Sequence, residues 1–131
     1  MLGEKVVPMG AIAYAFSEEG AGIDGKSFSL LPVEIFNRET GKTKKVTEYP
    51  CDGKLLKAAE QVKTKYHTGR GVIGSGDEWN NQLDRIALLR ERYHTAVEDM
   101  ESAAAAQLCL LMEYRFLACG SCKFYRKWRK V

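Results

Sequence analysis

Between Arg70 and Gln107 the chain twice repeats one order: a short apolar run, a polar turn, then a helix-forming stretch. Gly71 to Ile73 runs into Gly74-Ser75-Gly76-Asp77, and an amphipathic segment follows to Tyr93. Thr95-Ala96-Val97 then runs into Glu98-Asp99-Met100-Glu101, followed by a small-residue helix from Ser102 to about Tyr114. Strand, polar turn, helix, repeated, is the order of an α/β domain. In such domains function collects at the carboxyl ends of strands, where both polar clusters fall.

The preceding residues read as shorter elements. Lys5 to Phe16 gives one or two short strands, with Pro8 marking an edge or bulge. Glu18 to Gly25 is a glycine-rich acidic stretch. It lacks Lys or Arg and no clear helix follows, so it fails as a phosphate cradle and reads as a surface loop or lid. Phe28 to Phe36 is a second strand region, broken by Pro32, and Arg38 to Lys45 a charged turn before Val46 to Tyr49. Asp52 is placed to N-cap a helix over Lys54 to Tyr66, which buries Leu55, Leu56, Ala59 and Val62. In the helix expected from about Glu78 to Tyr93, Leu83, Ile86 and Ala87 form the buried face, with Leu89 at its margin. Arg85, Arg90, Glu91 and Arg92 form the solvated one.

At 131 residues the chain is long enough for one core. Its net charge of +3 is too mild to argue for nucleic acid, and Lys123, Arg126, Lys127, Arg129 and Lys130 supply all of the excess. No apolar run approaches the roughly 20 residues of a membrane helix, and Met1 opens almost directly on a strand, which means either no targeting segment or a missing true beginning. The expected location is cytoplasmic. Cys51, Cys109, Cys119 and Cys122 then read as reduced thiols. Cys119-Gly120-Ser121-Cys122 has C-x-x-C spacing, but zinc needs two more ligands, and His67 and His94 are not spaced to supply them. No metal and no cofactor is expected.

Two motifs carry a resemblance to the purine nucleoside phosphorylase and nucleosidase family: Ser75-Gly76-Asp77 with Trp79 two positions later, and VEDMESAAAAQ from Val97 to Gln107. The second is long and chemically peculiar. Leu2 to Val7 also resembles the family's entry strand. The resemblance implies an α/β fold comprising the later half of a mixed twisted sheet flanked by helices, with a truncated domain at 1–118 and a non-family basic tail at 119–131. It implies hydrolysis of the N-glycosidic bond of methylthioadenosine or S-adenosylhomocysteine, releasing adenine. A phosphorylase-type or purely nucleoside-binding role is the alternative.

Such a cleavage leaves positive charge on the ribose, so a carboxylate facing the sugar, a donor to the purine and an activated water are needed. The resemblance places Glu101 on the ribose hydroxyls, with Met100 packed on the sugar and Asp99 beside them. It places Trp79 on the adenine, with the Asn80 backbone at the purine edge, and gives Ser75 and Asp77 the shaping of the turn. Helix capping alone explains one or two of the acids before the alanine-rich helix, but not the methionine among them. An aromatic at Trp79 is equally at home in a core.

The family's water-activating glutamate and purine-protonating aspartate have no counterpart in this chain, so the expectation is an incomplete, inactive fragment. Such a fragment leaves an apolar face open to self-association or to a full-length relative. Phe116 to Ala118 begins the family's next strand, and the residues that follow depart from it. A frameshift after Ala118 is one reading of that departure. A genuine basic tail, with zinc- or RNA-binding as its chemistry, is the other.

Overall fold

The computed structural model describes residues 1–37 and 39–120; the sequence readings placed on residues 121–131, including Cys122 and the basic tail, lie outside the described residues. A four-stranded sheet forms the centre, in the order β6 (Tyr49–Pro50), β1 (Leu2–Pro8), β7 (Arg70–Ser75), β8 (Thr95–Asp99). β1, β7 and β8 run parallel and β6 is antiparallel to β1, so the sheet is mixed. Two hairpins stand beside it, β2 (Ile12–Tyr14) with β3 (Phe28–Leu30) and β4 (Val33–Asn37) with β5 (Lys42–Val46). Three helices complete the order: α1 (Gly53–Glu60), α2 (Leu83–Tyr93) and α3 (Ser102–Leu111). The α/β class and the helix-flanked mixed sheet expected from the sequence are what the structure has.

Side chains alternate across the sheet, as a strand's period of two requires. Val6 and Ile73 face α3, where they pack with Tyr49, Ala106 and Ala118. Val7 and Val72 face α2, packing with Met9, Phe28 and Leu89. Pro8 ends β1 where only β7 still pairs with it, a local edge. It is tolerated because the next residue, Met9, supplies the N–H that reaches Ser75 (2.6 Å), while β6 has already stopped at Lys5 and Val6.

Several local expectations are corrected. The segment Lys42 to Lys45 is strand, not turn: the loop is only four residues, and Lys45 stands opposite Glu34 in register with a 3.4 Å ion pair. Asp52 does cap α1, accepting from the N–H of Lys54 and Leu55 (both 2.9 Å). That helix, however, stops at Glu60 and leaves Val62 exposed beyond it. α2 starts at Leu83, five residues later than expected, because the Asn80 side chain accepts from the Gln82 N–H and holds an extended turn. Leu89 is the buried residue of α2, while Leu83 and Ala87 face solvent. Nor are Arg85 and Arg92 simply solvated. Their guanidinium carbons lie 5.5 and 5.3 Å from the centre of the Phe28 ring.

α3 ends at Leu111 with Met112 as its C-cap, earlier than Tyr114. Glu113 takes a left-handed conformation (φ 59°), and the N–H groups of Tyr114 and Glu113 return to the carbonyls of Cys109 and Leu110. This is the hydrogen-bond pattern of a Schellman stop, with glutamate where glycine is usual. Among the described residues, Phe116 to Ala118 is not part of a strand. The segment runs beside the start of β1, with Gly3 N–H donating to Ala118 O (2.8 Å) and a single bridge between Leu2 and Cys119.

Candidate functional site at the carboxyl ends of two strands

β7 and β8 end side by side, Ser75 in register with Asp99. The two turns that follow are joined by the chain itself. The Gly76 N–H donates to Asp99 O (3.0 Å), and the Ala103 N–H, in the first turn of α3, donates to Ser75 Oγ (2.9 Å). Ser75 is fully buried, so its hydroxyl is a structural acceptor reaching across from one turn to the helix of the other. Gly76 is required sterically: a Cβ there would lie 2.9 Å from Gly10 N and 3.1 Å from the carbonyl carbon of Met9, both backbone. The end of β1 therefore presses directly on the β7 turn.

The acids of the second turn divide. Asp99 caps α3: one carboxylate oxygen accepts from Ser102 N–H (3.1 Å), and the other takes the Ser102 hydroxyl. Glu98 is held at the other side, its two oxygens 3.1 and 3.2 Å from the Asn80 amide nitrogen, which donates. Glu101 makes only a local contact, accepting from Met100 N–H at 3.2 Å. It stands exposed at the head of α3, beside a half-exposed Met100. The two positions most strongly singled out in the sequence are thus the ones the local structure leaves available.

On the β7 side, Asp77 lies exposed at the turn. Trp79 is 71% exposed, which excludes the core role that its sequence position also allowed. With Asn80 it lines a groove of about 560 Å³ that is completed by Tyr14, Lys26 and Arg85. Glu78 binds the guanidinium of Arg85 and fixes that wall. Met100 and Glu101 do not line this groove, so the structure places the proposed purine-facing and sugar-facing groups on adjoining turns rather than in one closed cavity. The capping role of Ser75 toward α3 is absent from the sequence reading. Its signal is a serine at a strand end, ahead of a helix whose own first residues, alanines apart from Ser102, offer little capping chemistry.

The chain belongs to the phosphorylase superfamily, whose family profile matches residues 2–121. Among individual proteins it is similar to the 5′-methylthioadenosine/S-adenosylhomocysteine nucleosidase of Bacillus pumilus (strain SAFR-032). The two are 36% identical over 91 residues, covering 65% of this chain and 39% of the relative. The nucleosidase of the same description from Lysinibacillus sphaericus (strain C3-41) is 35% identical over 82 residues, covering 59% of this chain and 36% of that protein. The chain thus spans well under half the length of these relatives. Among the described residues no helix is long and apolar enough to cross a membrane.

Proposed function

We propose that this chain supplies the ribose- and purine-facing part of a nucleosidase site for methylthioadenosine or S-adenosylhomocysteine. One observation carries the reading. In a cluster of acids where Asp99 and Glu98 are engaged by Ser102 and Asn80, Glu101 is the exposed carboxylate that no other residue's side chain engages, next to a thioether. A free carboxylate accepts ribose hydroxyls and opposes the positive charge that grows on the sugar as the N-glycosidic bond breaks. Met100 offers a soft apolar surface to the sugar and its thio substituent. Trp79 offers an exposed ring to a purine, and Asn80 offers its backbone to the purine edge, its side chain being engaged by Glu98. Asp99, Ser75 and Asp77 act through the turn rather than on the substrate.

Water activation and protonation of the departing purine are assigned to no residue of this chain, and the chain by itself binds nucleoside with little or no turnover. The nucleosidase descriptions of the two relatives favour hydrolysis over phosphorolysis as the reaction of the complete site. The free thiols Cys51, Cys109 and Cys119 fit a cytoplasmic setting.

The test pairs a titration with methylthioadenosine and an adenine-release assay, each with and without phosphate, on the wild-type chain and on Glu101→Gln. Binding weakened about tenfold by the substitution, a loss of roughly 1.4 kcal/mol, without adenine release from either protein, is the expected result. No binding would sink the site assignment. Adenine release that Glu101→Gln abolishes would sink the claim of inactivity, and phosphate dependence of that release would make the reaction a phosphorolysis.

A further inference from the structure

Resting on the purine-facing reading of Trp79 and the sugar-facing reading of Glu101, we propose that Glu98 is a positioning residue. It latches the loop that carries Trp79 to the strand that leads into Glu101, and so sets the span that a purine nucleoside bridges. It thereby favours a base still joined to its sugar over the free base.

The loop from Gly76 to Gln82 is held at its root and at its tip. At the root, the Gly76 N–H donates to Asp99 O (3.0 Å). Beyond the root, Glu78 binds Arg85, which belongs to α2, the helix into which the loop itself leads. That contact is local and says nothing of where the loop lies relative to β8. Asn80, the residue after Trp79, makes the crossing contact. Its amide nitrogen donates to the two oxygens of Glu98 at 3.2 and 3.1 Å, while its own side-chain oxygen accepts from the Gln82 N–H at 3.2 Å. One side chain thus shapes the loop with its oxygen and docks it with its nitrogen. Among the described residues, this is the side-chain contact that joins the tip of the loop to β8.

The sheet is built to let Glu98 reach. Glu98 stands in register with Gly74 of β7. Its Cγ lies 3.6 Å from where a Cβ on Gly74 would stand, so the stem of Glu98 passes over bare backbone on its way to Asn80. Glu98 is exposed, and among the described residues no cation pairs with it. An exposed polar contact of this kind adds little to the stability of the fold. Its effect is on placement. A ring on an untethered loop takes many positions, and a ligand that touches both the ring and Glu101 must fix one of them as it binds. The latch meets that cost before the ligand arrives. A free base, which needs only the ring, gains nothing from it.

The test uses the full chain carrying Trp128→Phe, which leaves Trp79 as its one tryptophan. Three forms are compared: this background, Glu98→Ala and Glu98→Gln, with circular dichroism to check folding. Time-resolved fluorescence anisotropy without ligand reads the mobility of Trp79. Titrations with methylthioadenosine and with adenine read the site. Glu98→Ala should enlarge the fast, local part of the anisotropy decay. It should weaken methylthioadenosine binding about tenfold and adenine binding by less than about twofold. Glu98→Gln keeps the stem and an acceptor oxygen, and should return both readings most of the way to the background. A merely structural role would not separate nucleoside from base. Unchanged anisotropy in Glu98→Ala overturns the latch, as does equal weakening of the two ligands or a Glu98→Gln no better than Glu98→Ala. A Glu98→Ala chain that does not fold makes Glu98 structural and overturns it too. Binding of neither ligand by the background chain overturns the site itself, and the role of Glu98 with it, whatever the anisotropy shows.

Discussion

The turns after β7 and β8 occupy equivalent places at one end of the sheet, yet they use their polar side chains differently. After β8 the turn is short. Structural and available groups share it: Asp99 fixes the helix, Met100 and Glu101 stay free, and Ser102 closes the cap. After β7 the connection runs through to Gln82, and its polar groups act as anchors. Glu78 holds Arg85 and Asn80 holds Glu98, with Trp79 projecting between them. The first design places Glu101 on a rigid element through neighbours that are themselves locked. The second leaves Trp79 on a loop, whose position depends on two exposed polar contacts. Glu101, proposed to face the sugar, is therefore the better positioned of the two.

Changes at the junction between the turns should have the largest effects. Gly76→Val sets a branched side chain against the backbone of Met9 and Gly10, neither of which is a flexible side chain that can turn away. It should destabilise the chain by about 3 kcal/mol in urea unfolding, the upper part of the range for overpacking. A cost below ~0.5 kcal/mol, the range of an ordinary surface change, would show that the end of β1 does not press on this turn. Ser75→Ala comes next. It removes the acceptor of the Ala103 N–H in a buried setting and should cost about 2 kcal/mol. Asp99→Ala removes a helix cap and should cost about 1 kcal/mol. Because both act on the first turn of α3, the double variant should fall short of or exceed the sum by more than ~0.5 kcal/mol. Strict additivity would mean that the two turns are not coupled through the helix.

Glu101→Gln and Trp79→Ala should each leave stability within about 0.5 kcal/mol, as for surface positions without structural partners. Ligand affinity separates them. Loss of a stacking ring costs on the order of 1–3 kcal/mol when a base lies on it, so Trp79→Ala should weaken nucleoside binding at least severalfold while leaving the urea midpoint in place. A shifted midpoint with unchanged affinity would make Trp79 a structural residue after all.

What is legible in the sequence follows the same division. The repeated strand–turn–helix order is readable because Val72-Ile73 and Ala96-Val97 are short apolar runs bounded by turn residues, and the long VEDMESAAAAQ motif locates the second turn. The partition of its acids is not readable. Asp99 and Glu101 are chemically alike and two residues apart, and only the backbone decides that Asp99 meets the Ser102 N–H. The start of α2 is hidden because Asn80-Asn81-Gln82 carries no hydrophobic period, and the side-chain bond from Asn80 to the Gln82 N–H outweighs helix propensity there. Arg85 and Arg92 look solvated in the sequence because Phe28, the ring they cover, lies more than fifty residues earlier in the chain. Local patterns expose local structure; contacts between distant segments leave no periodic trace.

The smallest effect concerns a cap away from the site. Asp52 accepts from the N–H groups of Leu55 and Lys54, and these bonds, the first foremost, hold its carboxyl below the ordinary value of 3.8, with Arg115 adding a weaker pull. A carboxylate whose folded value is depressed contributes stability that is complete above its unfolded value and disappears as the pH falls through the folded one. The contribution of Asp52 should thus be constant from neutral pH down to about 4 and decline below it. Asp52→Asn is the fair comparison, because an amide oxygen is nearly as good an acceptor at a cap and only the charge is lost. Thermal midpoints of the wild type and Asp52→Asn should therefore lie close together under strong acid and separate, with the wild type higher, as the pH rises toward 4. A gap that widened on acidification would mean that the carboxylate is destabilising in the fold, and α1 would then owe its start to packing of Leu56 rather than to its cap.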